Sequence, residues 1–190
     1  WVYALSTLQT MQGYPGRGYN RVARMNGGYG SRPRVGLAGD HTLSSRFLRD
    51  VDILLALWPH LIERGYRAHG LALVWTEAWD GAGPLAMHEF APHFIEVCWR
   101  ARCHADGASV RCCYTTTQAR RCLPEFENGD VGDPWVPIER DKGALSVGAG
   151  GFHYRLLTRL LFEGDFEPAA AQTLRDADSD PVLFVASALA

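Results

Sequence analysis

The stretch from Gly13 to Gly39, GYPGRGYNRVARMNGGYGSRPRVGLAG, constrains this chain more than any other. Eight glycines run through it, which points to a loop whose backbone can reach positive φ and approach a partner closely. Five arginines are interleaved, Arg17, Arg21, Arg24, Arg32 and Arg34, and no acidic residue occurs before Asp40. Arginine carries a permanent charge and a planar fork that suits phosphate. Tyr14, Tyr19 and Tyr29 alternate with the arginines, either to stack on bases or to anchor the loop to a core. The pattern predicts a loop that contacts a polyanion, nucleic acid first. The competing reading is a tight structural loop with solvated arginines. Either way it is a binding signature and not a catalytic one.

The rest of the chain supports a folded body. It has 190 residues, 47% of them hydrophobic, enough for one domain with a core. Net charge is −2, so polyanion binding must come from local clustering. Charge is indeed segregated. Glu163, Asp165, Glu167, Asp176, Asp178 and Asp180 stand against only Arg175 near the other end. No apolar run approaches the roughly 20 residues that span a bilayer. Five cysteines, Cys98, Cys103, Cys112, Cys113 and Cys122, make a poor disulfide framework and suggest a reducing cytoplasm. The start at Trp1 and the closing run VLFVASALA, which would ordinarily continue into helix or pack on a following element, lead us to expect a fragment of a longer chain.

The residue pattern predicts an α+β fold of mixed helices with a small antiparallel sheet. Val2, Leu5 and Leu8 have helical spacing over Trp1–Met11. The clearest helix is Thr42–Arg64, with Phe47, Val51, Leu54, Leu55, Trp58 and Ile62 on one apolar face, Arg46, Arg49, Asp50 and Glu63 elsewhere, a cap at Thr42, Ser44 or Ser45, and Pro59 kinking it or splitting its last turn. Gly70–Trp75 reads as a buried strand. Phe94–Cys103 and Ser109–Thr116 read as a hairpin turning at His104-Ala105-Asp106-Gly107. Phe152–Phe162 reads as a helix with Phe152, Leu156, Leu160 and Leu161 inward.

Other motifs favour plain structural readings. GxxxxGK[ST] is absent, no lysine precedes Asp40, and no strand introduces GRGYNR, so neither a P-loop nor a dinucleotide fingerprint is present. Gly148–Gly151 before a helix could hold an anion, but a simple loop-to-helix junction is favoured. The C-x4-C-x8-C-C-x8-C spacing lacks a CxxC knuckle, so half-buried sheet cysteines are favoured over zinc. His41, His60, His69, His88, His93, His104 and His153 are scattered without HExxH or a nucleophile motif. Glu77, Asp80 and Glu89 read as solvated loop carboxylates. No catalytic, metal or cofactor site is expected.

The run LSTLQT followed by ARMNGGYGSRP resembles the N-terminal region of CasA-type large subunits of the type I-E CRISPR Cascade complex. FIEVCWRARC, GDPWVPI and GFHYRLLTRLLF are similar to later segments of that family, so the resemblance runs from about Leu5 to Phe162. It implies that residues 1–190 are an N-terminal-type portion of a larger multidomain subunit whose C-terminal helical bundle has no counterpart here. It implies a non-catalytic DNA-binding protein that recognises the protospacer-adjacent motif in duplex DNA through a glycine loop. Its implied partners are target DNA, the guide RNA complex, other Cascade subunits and the helicase-nuclease that is recruited. By position the loop falls on Asn26, Gly27 and Gly28 with Arg24 beside it, and Arg17, Arg21, Arg32 and Arg34 supply phosphate contacts. The family commonly has arginine directly before the two glycines, where this chain has Asn26. From the residues alone, a nucleotide- or phosphate-binding enzyme using the same loop is the alternative. A structural module whose loop binds a protein is a third.

Overall fold

A computed structural model of the chain describes residues 33–38, 42–95, 101–114, 130–148, 150–173 and 183–188. The helix expected over Trp1–Met11 lies outside these residues. The first element is strand β1, Pro33–Ala38. Helix α1 then spans Leu43–Glu63, and the Thr42 side chain accepts a hydrogen bond from the Ser45 amide at its N-cap. The Arg64 and Gly65 amides close its end on His60 and Ile62, with Gly65 at φ 107°. The helix continues through Pro59, which sits on the exposed side, to Glu63.

The buried face of α1 is rotated from the expected one, of which Val51, Leu54, Trp58 and Ile62 are half-buried. Asp50, Ile53 and Leu61 are buried and Leu57 half-buried, whereas Phe47 is exposed and Leu55 is 64% exposed. Asp50 lies outside the apolar face that the sequence pattern marks. It turns inward because Arg34 on β1 neutralises it.

The mixture of helices and small sheets is the α+β class expected, with the strands among the described residues divided over four small sheets, three antiparallel and one parallel. β1 pairs antiparallel with β9, Leu183–Ala188, joining the two ends of the described chain. Residues 183–188 of the closing apolar run are therefore a strand and not helix, one of the two forms expected. Phe184 and Val185 favour the extended form. β2, Leu71–Leu73, lies parallel to β3, Phe90–Ile95, with a bulge between the paired positions. β4, Ala101–Asp106, and β5, Ser109–Tyr114, form an antiparallel hairpin. Its two-residue turn is Gly107-Ala108, later than expected, because Gly107 supplies the positive φ of 61° that such a turn requires. β6, Ile138–Glu139, sits between β7, Gly143–Ala144, and β8, Phe166–Glu167, in an antiparallel sheet.

The Phe152–Phe162 helix is also only partly as expected. Helix α2 covers Tyr154–Thr158 and passes into a π-helical turn at Arg159–Glu163. Leu156 and Leu160 are buried as expected. The wider turn carries Leu161 outward and leaves Phe162 79% exposed. A short helix α3, Ala170–Thr173, follows.

Three clusters make the core. Leu61, Tyr66, Val74, Phe90 and Phe94 join α1 to the β2–β3 pair, with the Phe90 and Phe94 rings stacked at 4.4 Å. Val35, Val136, Ala144, Leu145, Val147, Leu156, Leu160 and Phe166 join β1 to α2 and the three-stranded sheet. Ile53, Trp135 and Ala171 bridge α1, the 130s loop and α3.

Two features of the β2–β3 region generate predictions. A Cβ on Gly70 would lie 2.4 Å from the Phe90 carbonyl carbon, so Gly70→Ala must push β3 away from the first cluster. A loss of about 2–3 kcal/mol is expected, read from the urea midpoint. His93 occupies φ 58° in the bulge and its Nε2–H donates to the Leu54 carbonyl at 2.9 Å. Burial lowers its pKa below 6.5, against the opposing effects of that hydrogen bond and of Asp133. The unfolded chain therefore takes up this proton first as pH falls below 6.5, and stability declines from there downward. His93→Asn, which also tolerates positive φ, should flatten that decline in denaturant midpoints measured across pH.

Candidate nucleic-acid interface

Arg17, Arg21, Arg24, Asn26, Gly27, Gly28 and Arg32 lie outside the described residues. The structure describes what the glycine-arginine segment runs into. Pro33 and Val35 are fully buried on β1, and the Val35 amide donates to the Trp135 carbonyl at 2.9 Å. On the same strand Gly36 packs against α3, where an added Cβ would come within 3.2 Å of the Ala171 Cβ. Strand alternation turns Arg34 away from the Val35 side. Its guanidinium binds the Asp50 carboxylate and lies over the Trp135 ring, 4.8 Å from the centroid.

Arg34 was expected among the phosphate contacts. In the structure its fork and face are engaged by Asp50 and Trp135, which makes it part of the anchor of the segment. Asp50 is only 6% exposed, so its charge requires this partner. The pair gives the segment a fixed root. Shortly after Ala38 the chain begins α1, whose first turn contains no acidic residue and carries the exposed Arg46. First-turn amides add a partial positive charge there.

The second glycine cluster borders a cavity of about 290 Å³, lined by Glu139, Ser146, Gly148, Gly151, His153 and Arg159 among others. Its cations already have partners. Arg159 donates to Glu139 at 2.5 Å and to Asp165 at 2.8 Å, and lies over the Phe166 ring at 5.2 Å. Lys142 donates to the same Glu139 oxygen at 2.8 Å. Burial pushes the Glu139 carboxyl up, but the hydrogen bonds from Lys142 and Arg159 outweigh it and hold its pKa below the ordinary value. The hydrogen bond to Glu139, followed by that to Asp165, raises the Arg159 pKa. His153 Nδ1 accepts from the Leu156 amide at 3.2 Å, capping α2. A lining carboxylate and occupied cations suit a structural junction and disfavour an anion.

The remaining candidates have structural roles too. Asp80 and Glu89 accept from the Ala82 and Ala86 amides, at 2.8 and 2.7 Å, and so hold turns. Cys98 and Cys122 lie outside the described residues. Cys103, Cys112 and Cys113 are exposed and not half-buried as expected, because the β4–β5 hairpin has no covering layer among the described residues. The Cys112 thiol is pushed up by its hydrogen bond with Cys103. Among the described residues no group of three or more His, Cys, Asp or Glu side chains is placed to hold a metal ion.

Sequence reasoning missed the Arg34–Asp50–Trp135 node and the Glu139–Arg159–Asp165 network. One signal was available for the first. Asp50 precedes Ile53 by three and Leu57 by seven, the spacing of a helix face, so a charge stood on an apolar stripe and needed a partner. The node predicts that Asp50→Ala costs about 2 kcal/mol in a urea melt, less than for a fully buried pair since Arg34 is 28% exposed. Arg34→Lys should also lose stability, because lysine keeps the charge but neither the fork nor the stacking face. None of the protein-family models, curated proteins or solved structures compared with the chain matches it.

Proposed function

We propose that this chain is a non-catalytic, DNA-binding portion of a CasA-type large subunit in a CRISPR surveillance complex. The observation that carries the reading is the acid-free glycine-arginine segment with its Asn26-Gly27-Gly28 core, which runs straight into a buried, ion-paired strand. A loop that probes DNA needs close backbone approach at its tip and a fixed base. The glycines suit the first and the Arg34–Asp50 pair the second.

In this reading Gly27 and Gly28 bring backbone N–H groups to base-edge acceptors in the minor groove, whose pattern is degenerate and suits loose reading of a short motif. Arg17, Arg21, Arg24 and Arg32 contact phosphates, positioning the loop without specifying sequence. Arg34 is left out of that set. Asn26, in the place of the family's arginine, is where motif preference would differ. Sequence recognition beyond the motif is delegated to guide RNA pairing. The complex would act in the cytoplasm, and no helix among the described residues is long and apolar enough to cross a membrane.

The test uses the chain assembled with its guide RNA and partner subunits, in gel shifts at fixed salt. Gly27→Asp and Gly28→Asp should abolish motif-dependent binding, because a carboxylate meets the negative groove and a Cβ blocks the backbone. Binding as tight as wild type would overturn the reading. Single alanines at Arg17, Arg21, Arg24 or Arg32 should weaken binding to all sequences alike. Each should lower the slope of log K against log salt by about 0.9. Saturable nucleotide hydrolysis lost in Arg24→Ala would instead favour an enzyme.

A further inference from the structure

We propose that Cys103 and Cys112 form a reversible dithiol–disulfide couple that locks the β4–β5 hairpin when oxidised. The two residues are direct partners across the hairpin, and their Sγ atoms already stand 3.2 Å apart. Both are exposed to solvent and to small oxidants.

The register favours a bond. The turn is closed by Asp106 and Ser109, the hydrogen-bonded pair that flanks a two-residue loop. Pairs alternate outward from there, so His104–Arg111 is hydrogen-bonded and Cys103–Cys112 is not. Non-hydrogen-bonded partners have Cα atoms about 4.5 Å apart, inside the range of about 4.4–6.8 Å that a disulfide bridges. Forming the bond needs the sulfurs to approach by about 1 Å, within reach of side-chain rotation. Cys113 does not compete. It pairs with Arg102, and strand alternation places it on the opposite face, with His104, Arg111 and Asp106.

The hairpin is also where such a bond has most effect. Every residue from Arg102 to Cys113 is exposed, so neither face is held by a core among the described residues. A two-stranded unit of this kind is marginal alone. Its one ion pair on the far face, Arg111 to Asp106 at 2.6 Å, is solvated and contributes little. A covalent tie at the middle of the ladder fixes the register and holds Arg102, His104 and Arg111 in one plane.

The chemistry balances with a disulfide such as oxidised glutathione as oxidant. A thiolate of the pair attacks one glutathione sulfur, forming a mixed disulfide and expelling one glutathione thiolate. The second cysteine, as thiolate, attacks the protein-bound sulfur, forming the Cys103–Cys112 bond and expelling the second. Two protons leave the protein thiols and two electrons pass to glutathione.

The experiment treats the full chain with oxidised glutathione and maps peptides without reduction. The expected product is a Cys103–Cys112 linked pair, lighter by two hydrogens and reversed by dithiothreitol. It should be absent in Cys103→Ser and Cys112→Ser and retained in Cys113→Ser. Hydrogen exchange should slow over residues 101–114 in the oxidised form. Linkage through Cys113, Cys98 or Cys122 would overturn the proposal. So would glutathione stably attached to Cys103 or Cys112 without closure, or thiols that resist alkylation until a chelator releases bound zinc.

Discussion

The contact between Arg34 and Asp50, with Trp135 beneath the guanidinium, is the interaction on which the rest of the arrangement turns. It links β1, the middle of α1 and the 130s loop at one point. Trp135 in turn packs with Ile53 and Ala171, so the node reaches α3 as well. A carboxylate on a buried helix face is tolerable only with a cation that approaches without water, and guanidinium suits this because its face is weakly hydrated and stacks on an indole. The orientation of α1 follows. With Asp50 inward, Ile53, Leu57 and Leu61 line the same side, and Phe47 and Leu55 are left toward solvent.

That node also divides the glycine-arginine segment by role. What an arginine does depends on what surrounds it, which composition does not show. Arg34, on the face of β1 opposite Pro33 and Val35, is half-buried and has its charge met by Asp50 and Trp135. Arg17, Arg21 and Arg24 stand among glycines and tyrosines with no acidic residue near in sequence. A basic count over the whole segment cannot separate these roles, since the partner carboxylate lies sixteen residues further on, in a different element.

Much of the architecture was legible where local patterns are strong. Helix α1 was readable from its cap at Thr42, its apolar periodicity and Gly65 at its end. The presence of the β4–β5 hairpin was readable from alternation around a glycine. What the sequence hid was set by distant partners. The buried face of α1 depends on Arg34, the strand form of 183–188 depends on β1, and the outward swing of Leu161 and Phe162 depends on a π turn that no local propensity marks. For the candidate interface, the composition of the segment was plain and the root of it was not, because burial of Pro33 and Val35 and the pairing of Arg34 are products of packing against α1, the 130s loop and the far end of the described chain.

The β1–β9 ladder carries a consequence for how the protein comes into being. Pro33 pairs with Ala188 and Ala38 with Leu183, so this sheet closes a loop spanning nearly the whole sequence. Closing so long a loop has a large entropic cost before any contact is made, and high contact order slows folding. On a ribosome, β1 emerges early and waits for β9 to be synthesised before its edge is paired. During that interval α1 and the β2–β3 pair can already collapse on their shared cluster, while Val35 and its neighbours stay open. The base of the glycine-arginine segment is thus among the last parts to be secured, and an unpaired apolar edge in the nascent chain is the point most exposed to misassociation.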